Sequence, residues 1–194
     1  MNPPTTSKGN WREIAHQSAR YTAIAKAVGI CKSVLDIGCG AGLLRNYLGA
    51  CQYTGVDICQ EAIDSGLLDG TGELICADVR EWSTLRNFDA LVFNESLYYL
   101  PSSALRRYAR NVKDRGSIVI SIWRNPKRFA WFRPQARALR HATAFLTANC
   151  GHVKAEVVRE DGQVFDVLHG SAKSPWAPFT LNRRAARATA TTFS

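Results

Sequence analysis

The most constraining feature of this sequence is a short apolar run that ends in three closely spaced glycines. The segment Val34–Gly42 reads Val-Leu-Asp-Ile-Gly-Cys-Gly-Ala-Gly, which places Gly38, Gly40 and Gly42 at alternate positions. Such a run predicts a buried strand, and glycines at its end let a ligand approach the backbone. The helix expected next would offer unpaired N–H groups. The segment therefore predicts a ligand-binding strand–turn–helix unit of an α/β fold.

Two positions in this segment argue against a nicotinamide cofactor. Leu43 stands where the third glycine of the dinucleotide-binding motif would fall. Asp36 comes two residues before the first glycine, and a carboxylate there would repel a pyrophosphate. The same carboxylate suits a ligand that carries an ammonium group, so we expect a cationic ligand.

Two further aspartates follow predicted strands. Asp57 closes Thr-Gly-Val-Asp, 17 residues beyond Gly40, and Asp78 closes Ile-Cys-Ala-Asp. Ligands of open α/β sheets bind at the carboxyl ends of strands, where a carboxylate can accept both hydroxyls of a ribose or an exocyclic amine. Each aspartate alone is typical of a cap or a turn, but three of them after successive strands favour a nucleoside ligand.

The rest of the chain alternates between strand and helix patterns. This alternation predicts a parallel sheet with helices on both faces, and a terminal hairpin with Asp-Gly in its turn adds an antiparallel edge. Helical spacing occurs over residues 11–28, 61–67, 102–112 and 129–146. Strand patterns occur over residues 33–37, 52–57, 73–77, 88–93, 116–123, 153–159 and 163–168.

The length of 194 residues suits one domain. We expect a flexible N-terminus over residues 1–10, one domain with an N-terminal helix over 11–170, and a basic disordered tail over 171–194. No apolar run approaches the ~20 residues that cross a bilayer, and residues 1–10 lack an apolar signal core. We therefore expect a cytoplasmic protein without a membrane span.

The six cysteines and four histidines show no metal-site spacing. No two cysteines form a C-x-x-C pair, and the histidines are not placed to complete a zinc site. We expect free thiols packed as small hydrophobic side chains, and no bound metal.

Charge is divided unevenly along the chain. The net charge of +9 comes from −3 over residues 1–100 and +12 over residues 101–194. The basic half would attract an anionic substrate, a nucleic acid or a membrane surface. The alternative is a set of solvated arginines, and the charge pattern leaves both interpretations open.

Taken in order, these segments resemble the motifs of class I S-adenosylmethionine-dependent methyltransferases. Val34–Gly42 is similar to the first motif and Gly55–Ile58 to the second, while Ala77–Arg80 resembles the third and Phe88–Leu100 the fourth. The likeness covers roughly residues 30–169. It implies a Rossmann-like fold whose seven-stranded, mostly parallel sheet has the order 3-2-1-4-5-7-6.

The resemblance also implies which residues hold the cofactor, S-adenosyl-L-methionine. They are Asp36, Gly38, Cys39, Gly40, Gly42, Asp57, Ile58, Asp78, Val79 and Asn94. Asp36 and Gly38 would bind the methionine end, Asp57 the ribose, and Asp78 with Val79 the adenine. Asn94 would offer its backbone carbonyl near the amino group, and Cys39 would act through its backbone. The leading helix, which carries Arg20 and Tyr21, would close over the cofactor.

The segment after the fourth strand is expected to face the transferred methyl group. Residues 94–100 resemble the N-E-x-L-Y-Y stretch of methyltransferases that act on nodulation factors and cell-surface glycans. This narrower likeness implies that Glu95 is a general base and that Tyr98 and Tyr99 line the acceptor pocket. The alternative is a capping role for Glu95 and a packing role for Tyr98 and Tyr99.

Three functions are compatible with these patterns. The first is methylation, at N or O, of a small-molecule or glycan-type acceptor, which the basic half would allow to be anionic. The second is an RNA methyltransferase, because residues 123–133 interleave cations with aromatic rings that could stack on sugars or on bases. The third is a non-catalytic module that binds S-adenosylmethionine. The acceptor, the methylated atom and the oligomeric state are not encoded in any motif.

Overall fold

The computed structural model describes residues 18–84, 86–101, 103–124, 134–160 and 163–172. These described residues form four α-helices and seven strands, with two short 3₁₀ helices at Leu43–Tyr47 and Leu97–Tyr99. The helices are α1 (Ser18–Val28), α2 (Gln60–Ser65), α3 (Ala104–Ala109) and α4 (Pro134–Asn149). The strands are β1 (Ser33–Ile37), β2 (Gln52–Asp57), β3 (Gly72–Cys76), β4 (Phe88–Asn94), β5 (Val112–Trp123), β6 (Cys150–Glu160) and β7 (Gln163–Ala172).

The strands form one sheet in the order β3-β2-β1-β4-β5-β7-β6. Strands β1 to β5 run parallel, while β7 pairs antiparallel with both β5 and β6. The predicted fold class and strand order are thus confirmed. The carboxyl ends of β1, β2 and β4 lie side by side, which brings the residues that follow them to one edge.

Alternation along the central strands separates two cores. On one face, Val34, Val92 and Val119 pack beneath α1 with its Tyr21 and Ile24. On the other face, Leu35, Leu91 and Ile118 pack with side chains of α3 and α4. Because both faces are covered, the strands are nearly continuous apolar runs, as expected for the middle of a parallel sheet.

Several boundaries differ from the predictions. The helix expected after the glycine loop is only a 3₁₀ helix, which ends where the backbone becomes extended at Leu48. Helix α3 is shorter than predicted because Val112 already pairs with Phe88 in β5. The predicted tail was wrong at Ser171 and Ala172, which extend β7 by pairing with β5 and β6.

The cysteine prediction was correct in part. All six described thiols are free, and Cys51 and Cys150 are buried as expected. Cys76 is exposed because β3 lies at the open edge of the sheet. The predictions for residues 1–17, 125–133, 161–162 and 173–194 lie outside the described residues. Within the described chain, no helix is long and apolar enough to span a bilayer.

Candidate functional site

The glycine loop is fixed against the ends of two neighbouring strands. Gly38, Gly40 and Gly42 have φ angles of 76°, 56° and 80°. The N–H groups of Gly38 and Cys39 both donate to the Val56 carbonyl, at 2.7 and 3.2 Å. A Cβ on Gly38 would lie 2.4 Å from the Cβ of Ser96. The loop therefore needs glycine at position 38 for both its backbone angle and its close contact.

Asp57 joins this loop to the end of β2. Its Oδ2 accepts from the Gly40 N–H at 2.8 Å and its Oδ1 from the Cys59 N–H at 2.9 Å. A carboxylate oxygen has two acceptor positions, so each oxygen can still accept a ribose hydroxyl. Ile58, the next predicted cofactor residue, is 57% exposed at the same edge. Cys39 packs with its Sγ against Gly55, and burial raises the pKa of its thiol.

Asp36 is completely buried below the loop. Its Oδ2 accepts a 2.7 Å hydrogen bond from the Tyr53 hydroxyl, whereas its Oδ1 has no partner among the described residues. Burial raises the pKa of Asp36 to about 7, although the Tyr53 hydrogen bond opposes that shift. A buried acceptor atom without a donor is unfavourable, so Oδ1 is suited to a ligand that brings a donor.

Arg20 places a guanidinium near enough to Asp36 for their charges to interact. It lies on α1, is 5% exposed, and stacks on the ring of Phe165 with its Cζ 4.7 Å from the centroid. Its Nε is buried with no hydrogen-bond partner in the described ranges, and none of the ion pairs there involves it. Its positive charge lowers the pKa of Asp36 and of Glu95. The arrangement offers a carboxylate and a guanidinium to one zwitterionic group.

Arg20 was expected near the cofactor as part of the leading helix, but its type and position in the sequence suggested no chemical role. The available signal was that Arg20, a cation, falls within the apolar stripe of the predicted helix, and α1 indeed buries Arg20 together with its apolar residues. Such a residue is rare unless it is paired.

At the end of β3, Asp78 is held by its neighbour Arg80. Its carboxylate accepts from the Arg80 backbone N–H at 2.8 Å, from Nε at 2.9 Å, and from Nη2 at 2.5 Å. The hydrogen bonds from the Arg80 side chain lower the pKa of Asp78. Three N–H donors leave acceptor capacity for about one more, which would fit an exocyclic amine. Val79 is partly buried against the α3/α4 core.

The carboxylate of Glu95 is held by three hydrogen bonds. Oε1 accepts from the Ser121 hydroxyl at 2.8 Å, and Oε2 accepts from the Trp123 N–H and the Tyr98 hydroxyl, both at 2.9 Å. Glu95 also has a φ of 59°, an angle that non-glycine residues adopt rarely and mainly where the surroundings enforce it. Burial raises the pKa of Glu95, while Arg20 and these donors lower it.

Ser121 is the residue of this network that sequence analysis missed. It is completely buried in β5, and its hydroxyl lies within hydrogen-bond distance of both Glu95 and the Asn94 Oδ1, the latter at 3.1 Å. A serine inside an otherwise apolar strand was the available signal. Asn94 is the last residue of β4, one position beyond the predicted end of that strand, and its side chain also contacts the Tyr21 hydroxyl.

The structure describes some of the other residues that were predicted to lie on the acceptor side. The Tyr98 and Tyr99 ring centroids are 4.5 Å apart, but Tyr98 packs against the core while Tyr99 is 72% exposed. In the aromatic and basic segment 123–133, only Trp123 and Arg124 are described. The Arg124 guanidinium forms two hydrogen bonds to Asp166, at 3.1 and 2.5 Å, which anchors the start of that segment to β7.

The chain is similar to known methyltransferases over part of its length. A family model described as a methyltransferase domain matches residues 35–120. The ubiquinone biosynthesis O-methyltransferase of Xanthomonas oryzae pv. oryzae (strain PXO99A) is 34% identical over 110 residues, which cover 50% of this chain and 46% of that protein. The corresponding protein of Stutzerimonas stutzeri (strain A1501) is 32% identical over 112 residues, covering 52% and 48%. The chain thus spans about half the length of these curated relatives.

Solved structures share the whole fold at low identity. The N-methyltransferase NodS from Bradyrhizobium japonicum WM9, in complex with S-adenosyl-L-homocysteine, has a TM-score of 0.64 and 18% identity, covering 88% of this chain and 91% of its own. The plantazolicin methyltransferase BpumL, also in complex with S-adenosyl-L-homocysteine, has a TM-score of 0.62 and 16% identity, covering 86% and 88%. At such identities the likeness establishes the fold alone.

Proposed function

We propose that this chain is a class I S-adenosylmethionine-dependent methyltransferase that transfers a methyl group to a small-molecule or glycan-type acceptor, at N or O. The match of residues 35–120 to a methyltransferase domain supports this proposal. One observation carries the cofactor assignment. Asp36 Oδ1 and Arg20 Nε are both buried without a partner in the described chain, and their two charges interact. An ammonium and a carboxylate on one carbon, as in the methionine end of the cofactor, would satisfy both atoms.

The other predicted contacts extend from this point along the edge of the sheet. Gly38, Gly40 and Gly42 give the loop its positive φ angles, and the free acceptor positions of Asp57 would take the ribose hydroxyls. Asp78, with Val79 and Ile58, would border the adenine. The backbone carbonyl of Asn94 would complete the methionine end.

On the acceptor side, Tyr98 and Glu95 form a pair that could remove a proton. The bound cofactor supplies an electrophilic methyl group, so the protein has only to align a nucleophile and take its proton. The Tyr98 hydroxyl donates a hydrogen bond to Glu95. The lone pairs of the Tyr98 oxygen are therefore left to accept from the N–H or O–H of the acceptor. The acceptor proton would pass to Tyr98 while the Tyr98 proton passes to Glu95, which ends neutral. The burial that raises the pKa of Glu95 favours this end state.

Replacing Tyr98 with phenylalanine tests this pair. Tyr98→Phe removes the relaying oxygen, so we expect kcat to fall by about a hundredfold with little change in affinity for S-adenosyl-L-homocysteine. Glu95→Gln keeps the shape but cannot accept the proton, and a similar loss is expected. Steady-state kinetics and a binding titration measure both quantities.

The matched control removes a tyrosine hydroxyl elsewhere. Tyr47 stacks on Tyr21 at 5.1 Å between ring centroids, and its hydroxyl makes no hydrogen bond within the described chain. Tyr47→Phe should keep kcat within about twofold. If Tyr98→Phe behaved like this control, the proposed relay would be wrong.

Labelling identifies the acceptor class. The protein is incubated with cell extract and S-adenosylmethionine labelled on its methyl group, and the extract is then separated into low-mass metabolites, glycans and RNA. The expected result is label in the low-mass or glycan fraction, with stoichiometric S-adenosylhomocysteine. Label in RNA would contradict the proposed acceptor and support an RNA methyltransferase. Tight cofactor binding without any S-adenosylhomocysteine would support a non-catalytic module instead.

A further inference from the structure

The connection between β3 and β4, residues 77–87, has no helix in its described part. Its only internal backbone bonds there are a turn in which the N–H groups of Glu81 and Trp82 donate to the Asp78 carbonyl, at 2.9 and 2.8 Å. A segment with so few bonds of its own must be ordered by contacts from elsewhere. This matters because the connection begins with Asp78 and Val79.

The guanidinium of Arg107, on α3, holds three successive carbonyls of this connection. It donates to the carbonyl oxygens of Arg80, of Glu81 at 3.3 Å and of Trp82 at 2.9 Å. A guanidinium presents its N–H groups in a rigid fork, so one side chain can fix several acceptors with little further loss of entropy. Arg107 thereby sets the path of the backbone directly after Asp78.

Neighbouring side chains extend this attachment. The Tyr108 hydroxyl lies 2.5 Å from the Val79 carbonyl and 2.9 Å from that of Trp82, and its ring stacks on the Trp82 ring with centroids 6.2 Å apart. The Asn111 amide donates to the Thr84 carbonyl at 2.7 Å and lies 3.3 Å from that of Arg86. Residues 107–111 thus fix the connection from end to end.

This attachment reaches the Asp78 carboxylate through Arg80. The backbone carbonyl of Arg80 is bound by Arg107, while its side chain holds Asp78 with Nε at 2.9 Å and Nη2 at 2.5 Å. The orientation of Asp78 therefore depends on an arginine that does not touch it. Arg107 is 29 residues away along the chain.

We propose that Arg107 is a positioning residue that sets the specificity of the cofactor site for an aminopurine base, by holding the backbone of residues 80–82 and with it the carboxylate of Asp78. The inference rests on the proposed placement of adenine beside Asp78. A carboxylate fixed there accepts from an exocyclic amine and disfavours a carbonyl at the same position of the base.

The test compares two ligands whose bases differ at this position and at the ring nitrogen beside it, which is an acceptor in adenine and an N–H donor in hypoxanthine. S-adenosyl-L-homocysteine carries an amine there and S-inosyl-L-homocysteine carries a carbonyl. Dissociation constants are measured for the wild-type protein, Arg107→Met, Arg107→Lys and Arg106→Met. Arg106 is adjacent on α3 and makes no hydrogen bond to the connection among the described residues, which makes its variant a matched control.

The wild-type protein should prefer the adenosyl ligand by roughly a hundredfold. In Arg107→Met the affinity for that ligand should fall by about tenfold, and the preference should fall below about tenfold. Arg107→Lys should be intermediate because an ammonium cannot bind three carbonyls in the same way. Arg106→Met should match the wild-type protein within about twofold.

A purely stabilising role for Arg107 would give a different pattern. In that case Arg107→Met would lower the unfolding midpoint while retaining the wild-type preference between the two ligands, and this outcome would overturn the proposal.

A further variant, Asp57→Ala, shows whether a negative result concerns only the role of Arg107 or the proposed cofactor site as a whole. If the wild-type protein bound neither ligand, or if Asp57→Ala left affinity unchanged, the cofactor placement would be wrong and both proposals would fall. If Asp57→Ala weakened binding and Arg107→Met kept full preference, only the positioning role would be excluded.

Discussion

Replacing Asp36 with asparagine is expected to weaken the binding of S-adenosyl-L-homocysteine by about a hundredfold at pH 8, or ~2.7 kcal/mol. The variant preserves shape and can still accept the Tyr53 hydrogen bond, but it loses the negative charge that would face the ligand ammonium. Charged hydrogen bonds in buried sites contribute about 1.5–3 kcal/mol. Isothermal titration of the wild-type protein and the variant at pH 8 measures this difference.

The same substitution should remove the dependence of ligand affinity on pH. In the free protein the pKa of Asp36 is about 7 because of burial, so below that pH the carboxyl is neutral and must lose a proton to bind the ammonium. Wild-type affinity should therefore fall by about tenfold for each pH unit below 7, and binding should release one proton. Asp36→Asn should show a flat profile between pH 5.5 and 7. A wild-type profile that is also flat would refute the role of Asp36.

The unfolding stability of the ligand-free protein shows whether Asp36→Asn weakens binding through its lost charge or by damaging the fold. The pKa of Asp36 is raised above its unfolded value, so the group binds a proton more tightly in the folded state, and stability should fall as pH rises from about 4 to 7. Asp36→Asn has no proton to lose, so at pH 8 the ligand-free variant should be at least as stable as the wild-type protein. A variant that unfolded more easily at pH 8 would contradict the burial-based cause of the shift.

Gly38→Ala should destabilise the protein by about 2–4 kcal/mol and abolish measurable ligand binding. An alanine at φ 76° costs about 1–2 kcal/mol. In addition, its Cβ would lie 2.4 Å from the Ser96 Cβ, so that the loop or the start of the 3₁₀ helix after β4 must move. Both lie at the predicted methionine end of the site. Denaturant unfolding and a ligand titration measure the two effects.

Substitutions at two other glycines distinguish the cost of the positive φ angle from the cost of the close contact with Ser96. Gly29 ends α1 with a φ of 70°, but a Cβ there would meet no atom within 4 Å, so Gly29→Ala should show only the backbone cost. Gly49 has neither a positive φ nor a close neighbour, so Gly49→Ala should change stability by less than about 0.5 kcal/mol. If Gly38→Ala were no more destabilising than Gly29→Ala, the contact with Ser96 would not constrain the loop.

Much of the fold could be predicted because its signals are local. The apolar runs of β1, β4 and β5 identify central strands, and the alternation of strands with helices implies a parallel sheet. The strand order came from the resemblance of the motifs around Gly38 and Asp57. Helix lengths were less accurate because a helix ends where strand pairing begins, and the pairing of Val112 with Phe88 is not visible in the local pattern.

The sequence alone determined the glycine loop, the three aspartates at strand ends and the polar segment after β4, since each depends on residues that are near one another in the chain. Only the tertiary structure decided that Arg20 lies buried beside Asp36, that Ser121 supports Glu95, and that Arg107 holds the backbone after Asp78. These contacts join residues 16, 26 and 27 positions apart through packing across the sheet. Their energy comes from burial and from satisfying hydrogen bonds, which residue type alone does not specify.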